Sequence, residues 1–166
     1  YSRASWTGGG EPYVEYLKSK RGKQPVIVVG SNDGMFHILN TTTLAEMYAY
    51  IPRAVYPKLW RLTEPVYIKQ ALVDGPITVG DAFINGAWGT FAIGTLGPGG
   101  KSVTAFNLTN PGSFGATTAM WEFTDPDLGS VMSKPVITRL ADGRWAVLFS
   151  GGFENSDNSA VLFAVD

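Results

Sequence analysis

The chain has 166 residues, a net charge of −1, 45% apolar and 16% charged residues, enough length for one sizeable core and no basic field to hold nucleic acid or anionic lipid. It contains no cysteine, which excludes disulfides, thiolate catalysis and cysteine-ligated zinc or iron–sulfur centres within it. No apolar run approaches the ~20 residues that span a bilayer, while 20 glycines, 10 prolines and 13% aromatics favour many short strands joined by tight turns.

Residues 1–12, opening YSRASWTGGG, show neither an initiating Met nor a signal-peptide pattern. They read as an N-terminal extension, and the chain as an internal or processed piece of something longer. YVEYLKSK then meets a weak turn at Arg21-Gly22 and continues into VIVVG, which closes on Gly30. MFHILN, ending on Asn40, and AEMYAY, residues 45–50, complete a first unit of four predicted strands over residues 13–51. Residues 52–75, PRAVYPKLWRLTEPVYIKQALVDG, interrupt the pattern as an insertion; Pro57 and Pro65 argue against one continuous helix, although KLWRL suits a helical turn or two.

A second unit, residues 76–126, contains ITVGDAFI and AWGTFAIG around Asn85-Gly86, then SVTAFNL and AMWEF. A third, residues 127–166, has PVITRLA and RWAVLFSG around Asp142-Gly143, followed by AVLFAVD, and lacks a fourth strand. Asn-Gly and Asp-Gly predict type I′ hairpins, because Gly accepts positive φ and Asn or Asp tolerates it. From turn glycine to closing glycine the spacing repeats: Gly22 to Gly30, Gly86 to Gly94, Gly143 to Gly151. Trp88 and Trp145 each follow the turn glycine by two positions, and Tyr48 and Trp121 occupy like places in the last strands. Four short, largely continuous apolar strands per unit describe a propeller blade buried on both faces by its neighbours. The expected fold is therefore all-β: a partial β-propeller of about two and a half four-stranded antiparallel blades belonging to a larger, quinoprotein-like propeller. The loops after the closing glycines differ in length, and with the insertion they suggest recognition by loops.

Candidate chemical sites are read as structural. His37, the only histidine, alternates within a predicted strand and is expected to pack. GPGGKS at 97–102 lacks the phosphate-loop spacing and precedes a strand, so a glycine-rich hairpin loop is expected. FENSDNSA offers oxygens from Glu154, Asn155, Asp157 and Asn158, but not in a calcium-loop register, and reads as a solvated turn; Asp125 and Asp127 in TDPD read likewise. Trp88, Trp145, Trp121 and Tyr48 are expected in the core, with Trp60 a loop aromatic. Asn40 and Asn107 begin sequons that matter only in a glycosylating pathway. No catalytic, metal or cofactor residues are assigned, and no partner-binding residue is singled out.

As a set, VIVVGSNDGMFHILN, AYIPRAVYPKLWRLTEP, LVDGPITVGDAFINGAWGTFAIGTLGPGGKSVTAFNLTNP, MWEFTDPDLG and KPVITRLADGRWAVLFSGGFENSDNSAVLFAVD resemble the C-terminal propeller of the PilY family, bacterial type IV pilus biogenesis factors and adhesins. The resemblance runs from about Tyr13 to the end and includes the insertion. It implies a secreted, non-enzymatic protein at the pilus tip and outer membrane surface that acts in pilus assembly, extension and retraction, and adhesion. Implied partners are minor pilins or a pilus tip complex, and a host or abiotic surface ligand. The family's calcium loop, rich in alternating Asp and Asn, would fall beyond Asp166, and no residue here inherits its role. The NDGM-x-H element also resembles quinoprotein-type repeats, so blades of a PQQ-dependent dehydrogenase are one alternative; a glycan-binding lectin propeller is the other.

Overall fold

A computed structural model describes residues 13–157 and 159–166. The N-terminal extension at 1–12 and Asn158 lie outside the described residues. Among the described residues, ten strands form three antiparallel sheets. The first sheet comprises β1 (Val26–Gly30), β2 (Phe36–Asn40) and β3 (Glu46–Tyr50). Four strands make the second: β4 (Ile77–Ile84), β5 (Ala87–Thr95), β6 (Val103–Asn107) and β7 (Ala119–Phe123). The third has β8 (Val136–Arg139), β9 (Trp145–Ser150) and β10 (Leu162–Val165). In every sheet the strands follow one another in chain order, so each sheet is a meander. The partial propeller expected from the repeat is the fold observed.

Two expectations need correction. YVEYLKSK is not a strand but the helix α1 (Tyr13–Lys20), so the first sheet has three strands rather than four. Its residues carry helical spacing: Glu15 pairs with Lys18 one turn on at 2.7 Å, and Lys18 and Lys20 lie at the C-terminal end, where the helix dipole favours cations. Tyr13 and Tyr16 share one face and pack against Trp88, at ring-centroid distances of 4.4 and 6.4 Å. The aromatic platform made by the second and third sheets holds this segment as a helix, and strand propensity is overridden.

The second correction concerns the turns. Asn85 and Gly86 have φ of 53° and 80° and join Ile84 to Ala87 as a two-residue type I′ hairpin. Asp142 is not in the positive-φ region; only Gly143 is, at 95°. Gly143 N–H donates to Leu140 O, Leu140 N–H donates to Arg144 O, and Asp142 Oδ1 accepts from Arg144 N–H. That is a type I turn followed by a left-handed glycine, the three-residue hairpin loop. Ser31 to Met35, with Asp33 and Gly34 in the matching places, repeats all three hydrogen bonds between β1 and β2. In both loops the aspartate accepts a hydrogen bond from the second backbone N–H after it, which favours a right-handed turn over the mirror image.

The core lies between sheets. Phe36, Ile38, Ala92, Leu96 and Phe106 fill the space between the first and second sheets, and Ile93, Val103, Ala105, Val147 and Phe149 that between the second and third. Alternate residues of β5 and β6 serve opposite sides, so the second sheet is buried on both faces and reads as continuous apolar sequence. Strands β1 and β10 instead alternate in exposure, because one face of each outer sheet is uncovered among the described residues. The repeated closing glycines have a common cause: a Cβ at Gly94 would enter the ring of Phe36, one at Gly30 would stand 2.7 Å from Val73 O, and one at Gly151 3.1 Å from Asp127 O. Each lies where a neighbouring segment presses on the strand.

Candidate functional site

The sheets approach most closely where β4 meets β8 and β1, so the first strand of the second sheet lies nearest its neighbours. The far edges, β3 and β7, stand apart. The insertion emerges at that open side, directly after β3. Its first part, Arg53–Thr63, is a run of 3₁₀ helix that continues through Pro57, longer than the one or two turns expected. Proline is tolerated because 3₁₀ geometry needs no long uninterrupted α ladder.

The insertion is anchored on one side. Val55, Leu72 and Val73 are buried in the core between the first two sheets. Lys58 Nζ donates to Gly99 O at 2.7 Å, Leu72 N–H to Asn32 Oδ1 at 2.9 Å, and Asp74 N–H to Leu96 O at 3.2 Å. Its other side is apolar and open: Trp60 is 57% exposed, Val66 80% and Ile68 72%, with Tyr56, Leu62 and Tyr67 beside them in sequence. Arg61 lies over the Trp60 ring at 5.4 Å and donates to Gln70 Oε1 at 2.8 Å, tying the two limbs of the loop together. Single exposed apolar residues are ordinary; six within one anchored loop are the pattern of a contact surface.

Next to the insertion a cleft of about 650 Å³ opens between β3 and β7. Tyr48 and Tyr50 line one side and Met120, Trp121 and Glu122 of β7 the other, the Trp121 ring being turned to the core between the second and third sheets, with Arg53 at the mouth and Ser102 below. Glu122, on β7, accepts hydrogen bonds from Tyr50 OH at 3.2 Å and from the N–H groups of Arg53 and Ala54 at 2.9 and 3.4 Å, holding the start of the 3₁₀ segment against the second sheet. Burial, reinforced by the Glu122 carboxylate, pushes the Tyr50 phenol up to about 12, so it stays a donor at any ordinary pH. Nothing in the sequence alone brings Tyr48, Ser102 and Trp121 together, since they belong to separate strands and loops.

The other singled-out residues are dispersed. Trp88 and Trp145 meet edge to face, centroids 5.6 Å apart, and both are buried as expected. GPGGKS forms a short 3₁₀ turn between β5 and β6, with Lys101 Nζ donating to Glu154 O. Asn155 is buried and its amide donates to Ser159 O at 2.8 Å, while Asp157 Oδ1 accepts from Ser159 N–H and Asp127 Oδ1 from Ser156 Oγ. These oxygens serve their own loop; among the described residues no group of three or more His, Cys, Asp or Glu is arranged to hold a metal ion. Asp125 Oδ1 accepts from Asp127 N–H, an Asx turn leaving β7. The Asn40 and Asn107 amide oxygens likewise accept backbone N–H bonds two residues on.

His37 is more engaged than a packing role requires. Nδ1 lies 2.5 Å from Glu46 Oε2 and Nε2 2.9 Å from Asp33 Oδ2, so each ring nitrogen faces a carboxylate. Partial burial opposes the charge, but the bonds to Glu46 and Asp33 outweigh it and raise the imidazole pKa above its usual 6.5. A group whose folded pKa is raised contributes stability that is present in full below the unfolded value and is lost as pH climbs through the folded one. Replacing His37 by Gln is therefore expected to cost more at about pH 5.5 than at about pH 8.5, by less than about 1 kcal/mol because both carboxylates are half exposed. Urea melts of the two proteins at each pH check this; an equal cost at both would show that the charge has no part.

Against known proteins, residues 6–166 match the family described as the PilY1 beta-propeller domain. The chain belongs to the PilY1 propeller family. A type IV pilus biogenesis factor PilY1 of Pseudomonas aeruginosa (strain UCBPP-PA14) is 42% identical over 150 residues, covering 87% of this chain and 13% of that protein. A PilY1 homolog of Xylella fastidiosa is 35% identical over 170 residues, covering 100% of this chain and 14% of that protein. The crystal structure of the Pseudomonas aeruginosa PilY1 C-terminal domain superposes with a TM-score of 0.76 at 34% identity, over 93% of this chain and 30% of that one. The chain thus spans a small part of its PilY1 relatives, within their propeller. PilY1 proteins are pilus biogenesis factors, a family not known for catalysis. No helix among the described residues is long and apolar enough to cross a membrane.

Proposed function

We propose that this segment is a non-enzymatic interaction module of a secreted pilus-associated protein, and that its insertion is the docking element. The units at 13–51, 76–126 and 127–166 form the framework, and the loop at 52–75 meets the partner. In this reading the partner is a minor pilin or the pilus tip complex at the outer surface. The contact favours pilus assembly, bears on extension and retraction, and supports attachment to host or abiotic surfaces. Calcium control, where it operates, is assigned to another part of the propeller, since among the described residues no group of three or more His, Cys, Asp or Glu is arranged to hold a metal ion.

The observation that carries the proposal is the two-sided insertion: a buried base at Val55, Leu72 and Val73 beneath an exposed ridge at Trp60, Val66 and Ile68. Anchoring removes much of the ordering cost that a loose loop would incur on binding. Substituting serine at Trp60, Val66 and Ile68 together in the full-length protein is expected to leave secretion and the far-UV circular dichroism unchanged. Surface piliation and attachment should fall at least tenfold. Normal piliation and attachment from a secreted triple variant would remove the insertion from the interface.

A further inference from the structure

The cleft between β3 and β7 has properties that the docking role of the insertion does not use. Both walls are sheets of this chain, fixed from behind. Tyr50 stands edge-on to Phe106 at 5.7 Å, Tyr48 meets Phe114 at 6.3 Å, and Trp121 packs on the core between the second and third sheets. The opening is built rather than left at a sheet edge.

Three features define what it would hold. The rings of Tyr48 and Tyr50 supply flat apolar surface on one wall without closing into a greasy pocket, since Arg53, Glu122 and Ser102 share the lining. Ser102 is 1% exposed, and its hydroxyl has no hydrogen-bond partner among the described residues. A buried hydroxyl left unpaired costs stability and usually marks a missing partner. Arg53 forms no ion pair among the described residues, whereas Glu122 is already oriented by three donors. A volume of about 650 Å³ falls within the range of small-molecule sites.

We propose that this cleft is a saccharide-binding site. A pyranose presents an apolar face of C–H groups and a rim of hydroxyls, and it needs both surfaces that the cleft offers: an aromatic wall from the two tyrosines and hydrogen-bonding groups at mouth and floor. An apolar peptide side chain would leave the Ser102 hydroxyl and the Arg53 guanidinium unanswered. The volume admits roughly two sugar rings. The open guanidinium adds a place for a carboxylate on an acidic sugar.

The inference stands on the cleft alone and does not need the pilus reading. The full chain is titrated with cellobiose, N,N′-diacetylchitobiose and digalacturonate while tryptophan fluorescence is followed. Saturable binding of at least one probe is expected, with affinity at least tenfold weaker in Ser102→Ala and in Arg53→Ala. Ser102→Ala is expected to keep or raise the melting temperature, because it removes an unpaired buried hydroxyl. Should that variant fail to fold, Arg53→Ala carries the test, because this side chain is exposed. Absence of saturable binding to all three probes, or binding that neither substitution weakens, would overturn the proposal. Either outcome alongside normal piliation leaves the pilus reading intact.

Discussion

Phe36→Ala is expected to lower the unfolding free energy by about 3–5 kcal/mol, the largest single effect among the apolar positions. Phe36 is fully buried, meets Phe106 edge to face at 5.2 Å, and fills the room left by the missing side chain of Gly94 in the facing sheet. Truncation therefore opens a cavity against two sheets at once, and the pleated backbone around Gly94 cannot collapse into it without breaking the β5–β6 ladder. Denaturant unfolding should show a lower midpoint with little change in slope. As a contrast, Ile27→Ala on the uncovered face of β1 should cost well under about 1 kcal/mol. Equal losses for the two would mean that the interface between the first and second sheets is not the core.

Asp81→Ala is expected to release α1 and to cost about 3 kcal/mol. Asp81 accepts from Tyr13 OH at 2.9 Å, from Lys20 Nζ at 2.7 Å and from Thr90 Oγ1 at 2.7 Å, and Tyr16 OH lies 2.6 Å from that same Thr90 oxygen. One carboxylate on β4 thus holds both ends of the helix. Burial pushes the Tyr16 phenol above its usual value, with the Asp81 charge adding to it, while the Thr90 bond acts the other way. With Asp81 gone, three donors lose their acceptor together, and the short helix has too few internal bonds to persist alone. Hydrogen exchange should accelerate across residues 13–20 while β5 and β6 remain protected. Asp81→Asn should recover part of the loss, because the amide oxygen still accepts. A variant in which α1 stays protected would show that the Trp88 platform alone is enough.

What the sequence disclosed followed from strictly local chemistry. Asn85-Gly86 signals its turn because two adjacent residues tolerate positive φ, and the doubly buried second sheet is legible as unbroken apolar runs in β5 and β6. Asp142-Gly143 predicted a type I′ turn and forms a type I turn with a left-handed glycine instead, because of a side-chain hydrogen bond to Arg144 N–H that the dipeptide alone does not show. Tyr13–Lys20 misled because Tyr13, Val14 and Tyr16 favour a strand; the platform that makes it a helix is assembled from residues far along the chain, Trp88 among them. The cleft was beyond reach for the same reason. Its walls face each other only once β3 and β7 are set in neighbouring sheets, and the carboxylates around His37 come together through the turn before β2 and the register of β3.

The unequal cover of the three sheets also sets a tempo. Amides in β5 and β6, shielded on both flanks, should be among the last to exchange. The insertion is bolted to this slow element through the Lys58–Gly99 and Asp74–Leu96 bonds at the end of β5, and to the loop before β2 through the Leu72–Asn32 bond. Its apolar ridge therefore keeps its shape, and whatever it grips meets a preset contour instead of one that must be moulded on arrival.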